Sequence, residues 1–172
     1  LATYRSRFVI LSIGIQGNPR KLNAPGEHLP HVTTRLVDPS LYENEDILVV
    51  GAGDAAIEGV LALCEKNRVS VVNRNAEFYR LKDALDREIT KRVASGQVKA
   101  YHSAGVERIE EGTTYLKLPD RTVQVKADLV VVRIGAEIPR KFLDSIGIAF
   151  SSADPDRKST RLNSSHIPLS RM

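Results

Sequence analysis

Tryptophan is absent from this 172-residue chain, and cysteine and methionine occur once each. A single thiol, Cys64, excludes an internal disulfide framework, a Cys-x-x-Cys redox pair and a cysteine-rich zinc site. Histidine is sparse as well, and His28, His31 and His102 lack metal-ligand spacing, so they are expected on the surface or in loops and no metal site is expected. None of the five tyrosines is followed four residues later by lysine, which excludes a Tyr–Lys dehydrogenase pair. No catalytic acid, base or nucleophile constellation emerges, so no catalytic residue is assigned. No apolar run approaches the ~20 residues that cross a bilayer, and no charged-then-apolar leader opens the chain. A cytoplasmic protein with no membrane partner is the expectation.

What is present begins with 42% apolar residues, enough to bury a core. Lys+Arg number 25 against 21 Asp+Glu, a net charge of +4 that would ordinarily invite a nucleic acid. Much of that excess sits in residues 156–172. The stretch Asp156-Arg-Lys-Ser-Thr-Arg-Leu-Asn-Ser-Ser-His166 resembles a translated sequencing-library adaptor, and Ser170-Arg171-Met172 fits its continuation. Residues 156–172 are therefore read as a non-native tail and set aside. Without them 21 basic residues face 20 acidic ones, and the case for a nucleic-acid partner disappears.

Along the chain, Arg7 to Gly14 reads as a short apolar strand, and Asn18 to Pro30 as loop, with three of the eight prolines. Residues 31–45 are polar and irregular, a linker with a turn at Asp38-Pro39-Ser40. Ile47 to Val50 is a continuous apolar run, as expected of a strand buried on both faces. Ile57, Val60, Leu61 and Cys64 then fall at i, i+3, i+4 and i+7, which predicts a helix with Cys64 on its buried stripe. A second strand is predicted at Val69–Val72. A second helix follows, with Leu81, Leu85, Ile89 and Val93 inward, Arg87, Lys91 and Arg92 on the solvated side, and Gly96 at its end. A third strand is expected at Val98–His102. Turns at Glu111-Gly112 and Pro119-Asp120 divide residues 106–125 into a β-meander, and Leu129–Ile134 is a last buried strand ending at Gly135.

Gly51-Ala52-Gly53-Asp54-Ala55-Ala56 has the Gly-x-Gly-x-x-Ala spacing of a dinucleotide fingerprint, in the required strand–turn–helix context. Gly51 permits the tight turn, Gly53 lets the backbone approach a pyrophosphate, and Ala56 allows close helix–strand packing. The helix start offers unpaired N–H groups to the phosphates. Asp54 is expected to cap the helix and point away from them. An NAD-selective site would carry Asp or Glu at the end of the second strand. Asn73 stands there, followed by Arg74 and, six residues on, Arg80, an arrangement suited to a 2′-phosphate. NADPH is the expected cofactor, with NADH as the other possibility.

Taken with these motifs, three further stretches make the chain resemble thioredoxin-reductase-like flavoproteins of the pyridine nucleotide–disulfide oxidoreductase superfamily. They are Phe8-Val-Ile-Leu-Ser-Ile-Gly14, the loop Asn18-Pro-Arg-Lys-Leu22 with Pro25-Gly-Glu27, and Val131-Val-Arg-Ile-Gly-Ala-Glu-Ile-Pro139 with Phe142-Leu143 and Gly147-Ile148. The resemblance implies an α/β fold: a Rossmann-like three-layer NAD(P)-binding domain of parallel sheet, helices and β-meander, flanked by partial strands of a FAD domain. It implies the divisions 1–40 (partial FAD-binding domain), 41–135 (NAD(P)H-binding domain) and 136–155 (start of the return into the FAD domain). It also implies FAD in the full-length protein, Ile134-Gly135 near the nicotinamide, Gly14 on the flavin side, and a homodimer. The family's Cys-x-x-Cys is missing and its His-Arg-Arg clamp is replaced by Asn73-Arg74-Asn75. The resemblance is therefore to cysteine-less relatives that pass electrons from NADPH through FAD to a small disulfide, ferredoxin or another redox protein. The chain alone, as a piece of that assembly, is expected to be inactive. The competing class is a non-catalytic NAD(P)-binding or sensor module.

Overall fold

The computed structural model describes residues 4–14 and 18–148. Its centre is an all-parallel five-stranded sheet in the order β1-β8-β2-β3-β4. The strands are β1 (Val32–Thr33), β2 (Asp46–Val50), β3 (Arg68–Val72), β4 (Val98–Tyr101) and β8 (Leu129–Val132). Helix α1 (Asp54–Leu63) joins β2 to β3, and α2 (Asp83–Ala94) joins β3 to β4. The antiparallel meander β5 (Gly105–Glu110), β6 (Thr113–Lys117) and β7 (Thr122–Lys126) then leads back to β8 beside β2.

The apolar runs explain the layering. Ile47, Val49, Val69, Val71 and Val131 face the helices and pack with Ala56, Ile57, Val60, Leu63, Cys64 and Ile89. Leu48, Val50, Val72, Val130 and Val132 face the meander and pack with Ile109, Leu116, Val125 and Ala127. The sheet is thus buried on both faces, with helices on one and the meander on the other, the expected three layers. Each fully buried aliphatic side chain contributes about 1.5–3 kcal/mol, which is why unbroken valine and isoleucine runs serve here in place of alternation.

Several expectations change. Residues 7–14 form no strand: Phe8, Val9 and Ile10 are exposed and no described strand pairs with them. A strand is defined by ladder bonds, and apolar composition cannot supply a partner. Val32–Thr33, read as linker, is the sheet's edge strand, in register with Val130 and Val131. Strand β8 ends at Val132, two residues before the expected limit. Arg92 is half-buried rather than solvated, paired with Glu88 and Glu65 at 2.8 Å each. Beyond the first body, Pro139–Ile148 holds a short helix, α3 (Arg140–Ser145). The tail assigned to residues 156–172, and the end of the 136–155 segment, lie outside the described residues.

Candidate functional site

The C-terminal ends of β2, β3, β4 and β8 lie together, and the glycine turn sits among them. Gly51 has φ +126°, and a Cβ there would stand 2.2 Å from the carbonyl oxygen of Arg133. Only glycine satisfies both conditions. Its N–H donates to Val72 O at 3.0 Å, tying the turn to the end of β3. Gly53 is the N-cap of α1, and a Cβ on it would meet nothing within 4 Å, so the space beside Gly53 is open. Ala52 is half-buried, Ala55 is exposed, and Ala56 is packed into the helix-side core. Ala56 N–H donates to Gly53 O at 2.9 Å, whereas the Asp54 and Ala55 amides have no acceptor among the described residues and, with the helix dipole, favour an anion there.

Asp54 departs from expectation. Gly53 takes the capping position, and Asp54, one residue inside the helix, is too late to cap. Its Oδ1 accepts from the Lys82 backbone N–H at 3.1 Å, and its Oδ2 lies 3.7 Å from Lys82 Nζ. This contact pins the far end of the 73–82 loop to the start of α1.

Asn73 organises the near end of the loop. It is only 2% exposed. Its Oδ1 accepts from Asn75 N–H at 3.0 Å, and its Nδ2 donates to Glu77 O at 2.7 Å. Nδ2 also lies 3.2 Å from His102 Nδ1, against whose ring Phe78 packs edge-on. Backbone bonds from Asn73 N–H to Tyr101 O and from Ala104 N–H to Asn73 O complete the clamp. All of Asn73's side-chain polar atoms are engaged within the protein, so it holds the loop in place. Arg74, next in sequence, is exposed and forms no ion pair with the described residues. Arg80 is exposed too, with φ +60° and its guanidinium 4.9 Å from the Tyr79 ring centroid. Arg74 and Arg80 therefore ride on a loop fixed at both ends beside the glycine turn.

Gly135, φ +93°, follows β8 at the same end of the sheet, and its carbonyl accepts from Arg20 N–H at 3.0 Å. Pro19 bridges Ala136 antiparallel, so residues 18–20 run beside residues 135–137. Ile134 packs with the meander-side core. Gly14, φ +60°, is exposed with no described contact to the glycine turn. Cys64 is buried and its thiol is pushed up by burial, the state of an inert core thiol. Among the described residues no group of three or more His, Cys, Asp or Glu is placed to hold a metal.

Sequence reasoning missed His102, Lys82 and Arg133. His102 and Arg133 each follow the end of a parallel strand, where ligands of open α/β sheets bind. That position was the available signal.

A reversal of strand order between β2 and β8, with a glycine turn at that crevice, defines a dinucleotide-binding α/β domain. Residues 1–165 match the family described as pyridine nucleotide-disulphide oxidoreductase, and the chain belongs to it. It is 26% identical over 149 residues to bacilliredoxin reductase of Bacillus subtilis, covering 85% of this chain and 46% of that one. It is 30% identical over 161 residues to a ferredoxin–NADP reductase of Ignicoccus hospitalis, covering 84% and 48%. The solved bacillithiol disulfide reductase of Bacillus cereus superposes with a TM-score of 0.75 at 26% identity, over 78% of this chain and 42% of that one. The chain thus spans about half the length of the relatives it matches.

Proposed function

We propose that this chain is the nicotinamide-nucleotide domain of an NADPH-dependent FAD oxidoreductase, a homodimer when whole, that delivers electrons to a disulfide, ferredoxin or a similar redox acceptor. The observation that carries the reading is the turn at Gly51. A backbone that only glycine can adopt leads directly into the first turn of α1, with open space beside Gly53, which fits a dinucleotide's pyrophosphate. The residues beside it fit the 2′-phosphate of NADPH: no carboxylate ends β3, and the exposed Arg74 guanidinium stands there without an ion pair. When bound, NADPH supplies a hydride and FAD accepts it.

The protein's own tasks are binding and orientation. The α1 amides hold the pyrophosphate, and Arg74, with Arg80, holds the 2′-phosphate. Asn73 and the Asp54–Lys82 contact keep both arginines on one side of the turn. Ile134 and Gly135, which follow β8, would lie beside the nicotinamide. FAD belongs with the 1–40 and 136–155 segments and the remainder of the longer relatives' architecture, with Gly14 on that side. Electrons do not leave through a dithiol of this chain, because its one cysteine is buried in the core. The names of the relatives, which include bacilliredoxin, ferredoxin and thioredoxin reductases, support an external acceptor.

Arg74→Ala tests the reading. A charge-assisted contact is worth about 1.5–3 kcal/mol, so NADPH affinity should fall about 10- to 150-fold while NADH affinity holds. An unchanged NADPH:NADH ratio by calorimetric titration would refute the assignment.

A further inference from the structure

Among the described residues, Arg133 is the cation with a buried side-chain nitrogen and no partner, alongside the uncharged Thr114 hydroxyl and the His31 ring. It continues the β8 ladder past Val132, its N–H donating to Val50 O at 2.7 Å. Because Val132 is in register with Val50, Arg133 stands opposite Gly51. Side chains alternate between the two faces of a strand. Val130 and Val132 pack with the meander and Val131 with the helices, so Arg133 projects on the face that α1 covers. There its Nε is buried and has no acceptor, and its guanidinium forms no ion pair with the described residues. A guanidinium cannot shed its charge to relieve burial, and an unpaired buried donor is destabilising. The acidic residue of the glycine turn, Asp54, is already engaged by Lys82. A half-buried cation therefore waits at the crevice between β2 and β8, beside a helix start that itself favours an anion.

We propose that Arg133 is a ligand of the cofactor's diphosphate, reaching across that crevice to the group seated on the first turn of α1. The inference rests on the nucleotide reading and adds a side-chain cation to a site otherwise built of backbone amides. Its consequence differs from that of Arg74. The diphosphate is common to NADPH, NADH and ADP, so Arg133 strengthens all three and discriminates among none.

The test uses the complete chain, with Arg133→Leu and Arg133→Lys, titrated calorimetrically with ADP, adenosine, NADPH and NADH. Arg133→Leu should weaken ADP, NADPH and NADH alike by about 10- to 100-fold, leaving adenosine and the NADPH:NADH ratio unchanged. Arg133→Lys should restore part of the loss. The ligand-free melting temperature of the leucine variant should hold or rise, since an unpaired buried donor has been removed. Equal losses for ADP and adenosine, or a lowered ligand-free melting temperature, would assign Arg133 to packing and overturn the proposal. So would ADP binding within about twofold of the native chain. If the native chain binds ADP no better than adenosine, the nucleotide reading itself fails, and this inference fails with it.

Discussion

The two ends of the parallel sheet treat charge in opposite ways. At the N-terminal end Asp46 takes two bonds from Arg68, at 2.7 and 3.0 Å, and one from Lys126 at 2.7 Å. Asp128 N–H donates to Asp46 O, and Asp46 N–H donates back to the Asp128 carboxylate. Asn67 binds Tyr42 O, Leu63 O and Glu45 N–H, and Lys66 pairs with Glu43. At the C-terminal end Arg74 and Arg133 have no carboxylate, Gly51 holds a positive φ, and the space over Gly53 is open. The same five strands thus carry a closed end, where charge is neutralised within the protein, and an open end, where it is left for a ligand. Stability and binding should therefore separate by end, and substitutions can test the separation.

The largest effect is expected at Gly51, where the two properties meet. Gly51→Ala puts a Cβ against Arg133 O on a backbone held by ladder bonds to Val72 and, through Arg133, to Val50. The turn must deform, so nucleotide binding should fall more than about 100-fold and stability by about 2–4 kcal/mol. Titration with NADPH and a denaturant melt would check both. An alanine variant that folds and binds normally would break the comparison at its strongest point.

A smaller effect belongs to the closed end. Hydrogen bonds from Arg68 first, then Lys126, lower the Asp46 carboxyl from 3.8 to about 2. A lowered carboxylate stabilises the fold above its unfolded value and loses that contribution as pH falls towards the folded one. Its neutral-pH contribution is at most about 2 kcal/mol, less after solvent screening of the two exposed cations. Asp46→Asn should therefore lower stability by about 1–2 kcal/mol at pH 7 and flatten the loss of stability between about pH 4 and 2. NADPH affinity should not change. If it did, the two ends would be coupled and the division between them would be wrong.

How much of this could be read in advance follows from how local each feature is. The glycine turn was legible because Gly51 and Gly53 constrain the backbone within a few residues, and the helix stripe after them has its own period. Strands β2 and β8 were legible as unbroken apolar runs, and β3 as a valine-rich run broken only by Ser70. Residues 7–14 have the same composition, yet they form no strand, because pairing depends on a partner the pattern does not contain. Val32–Thr33 shows the converse: two unremarkable residues become a strand because β8 offers an edge. Asn73 could be placed at the end of the second strand, but its engagement by His102 crosses 29 residues and follows from the β3–β4 pairing. Arg133 opposes Gly51 only because β8 returns beside β2. The site's backbone was written locally, and its side-chain partners by the strand order.

The smallest effect concerns Asp54, the acidic exception at the open end. Asp54→Asn keeps an oxygen for the Lys82 backbone N–H but removes a negative charge from the first turn of α1. Two consequences oppose each other. The helix start loses a favourable charge–dipole interaction, about 0.3–1 kcal/mol of stability. A bound diphosphate loses a neighbouring repulsion and gains a released Lys82 ammonium, so ADP and NADPH should bind about 2- to 5-fold more tightly. Melting and titration read the two independently. Opposite signs would show that even at the open end a carboxylate serves the fold at the ligand's expense. A fall in NADPH affinity with ADP unchanged would instead mean that the Asp54–Lys82 ion pair positions the arginine loop, which would make the open end more rigidly built than its unpaired charges suggest.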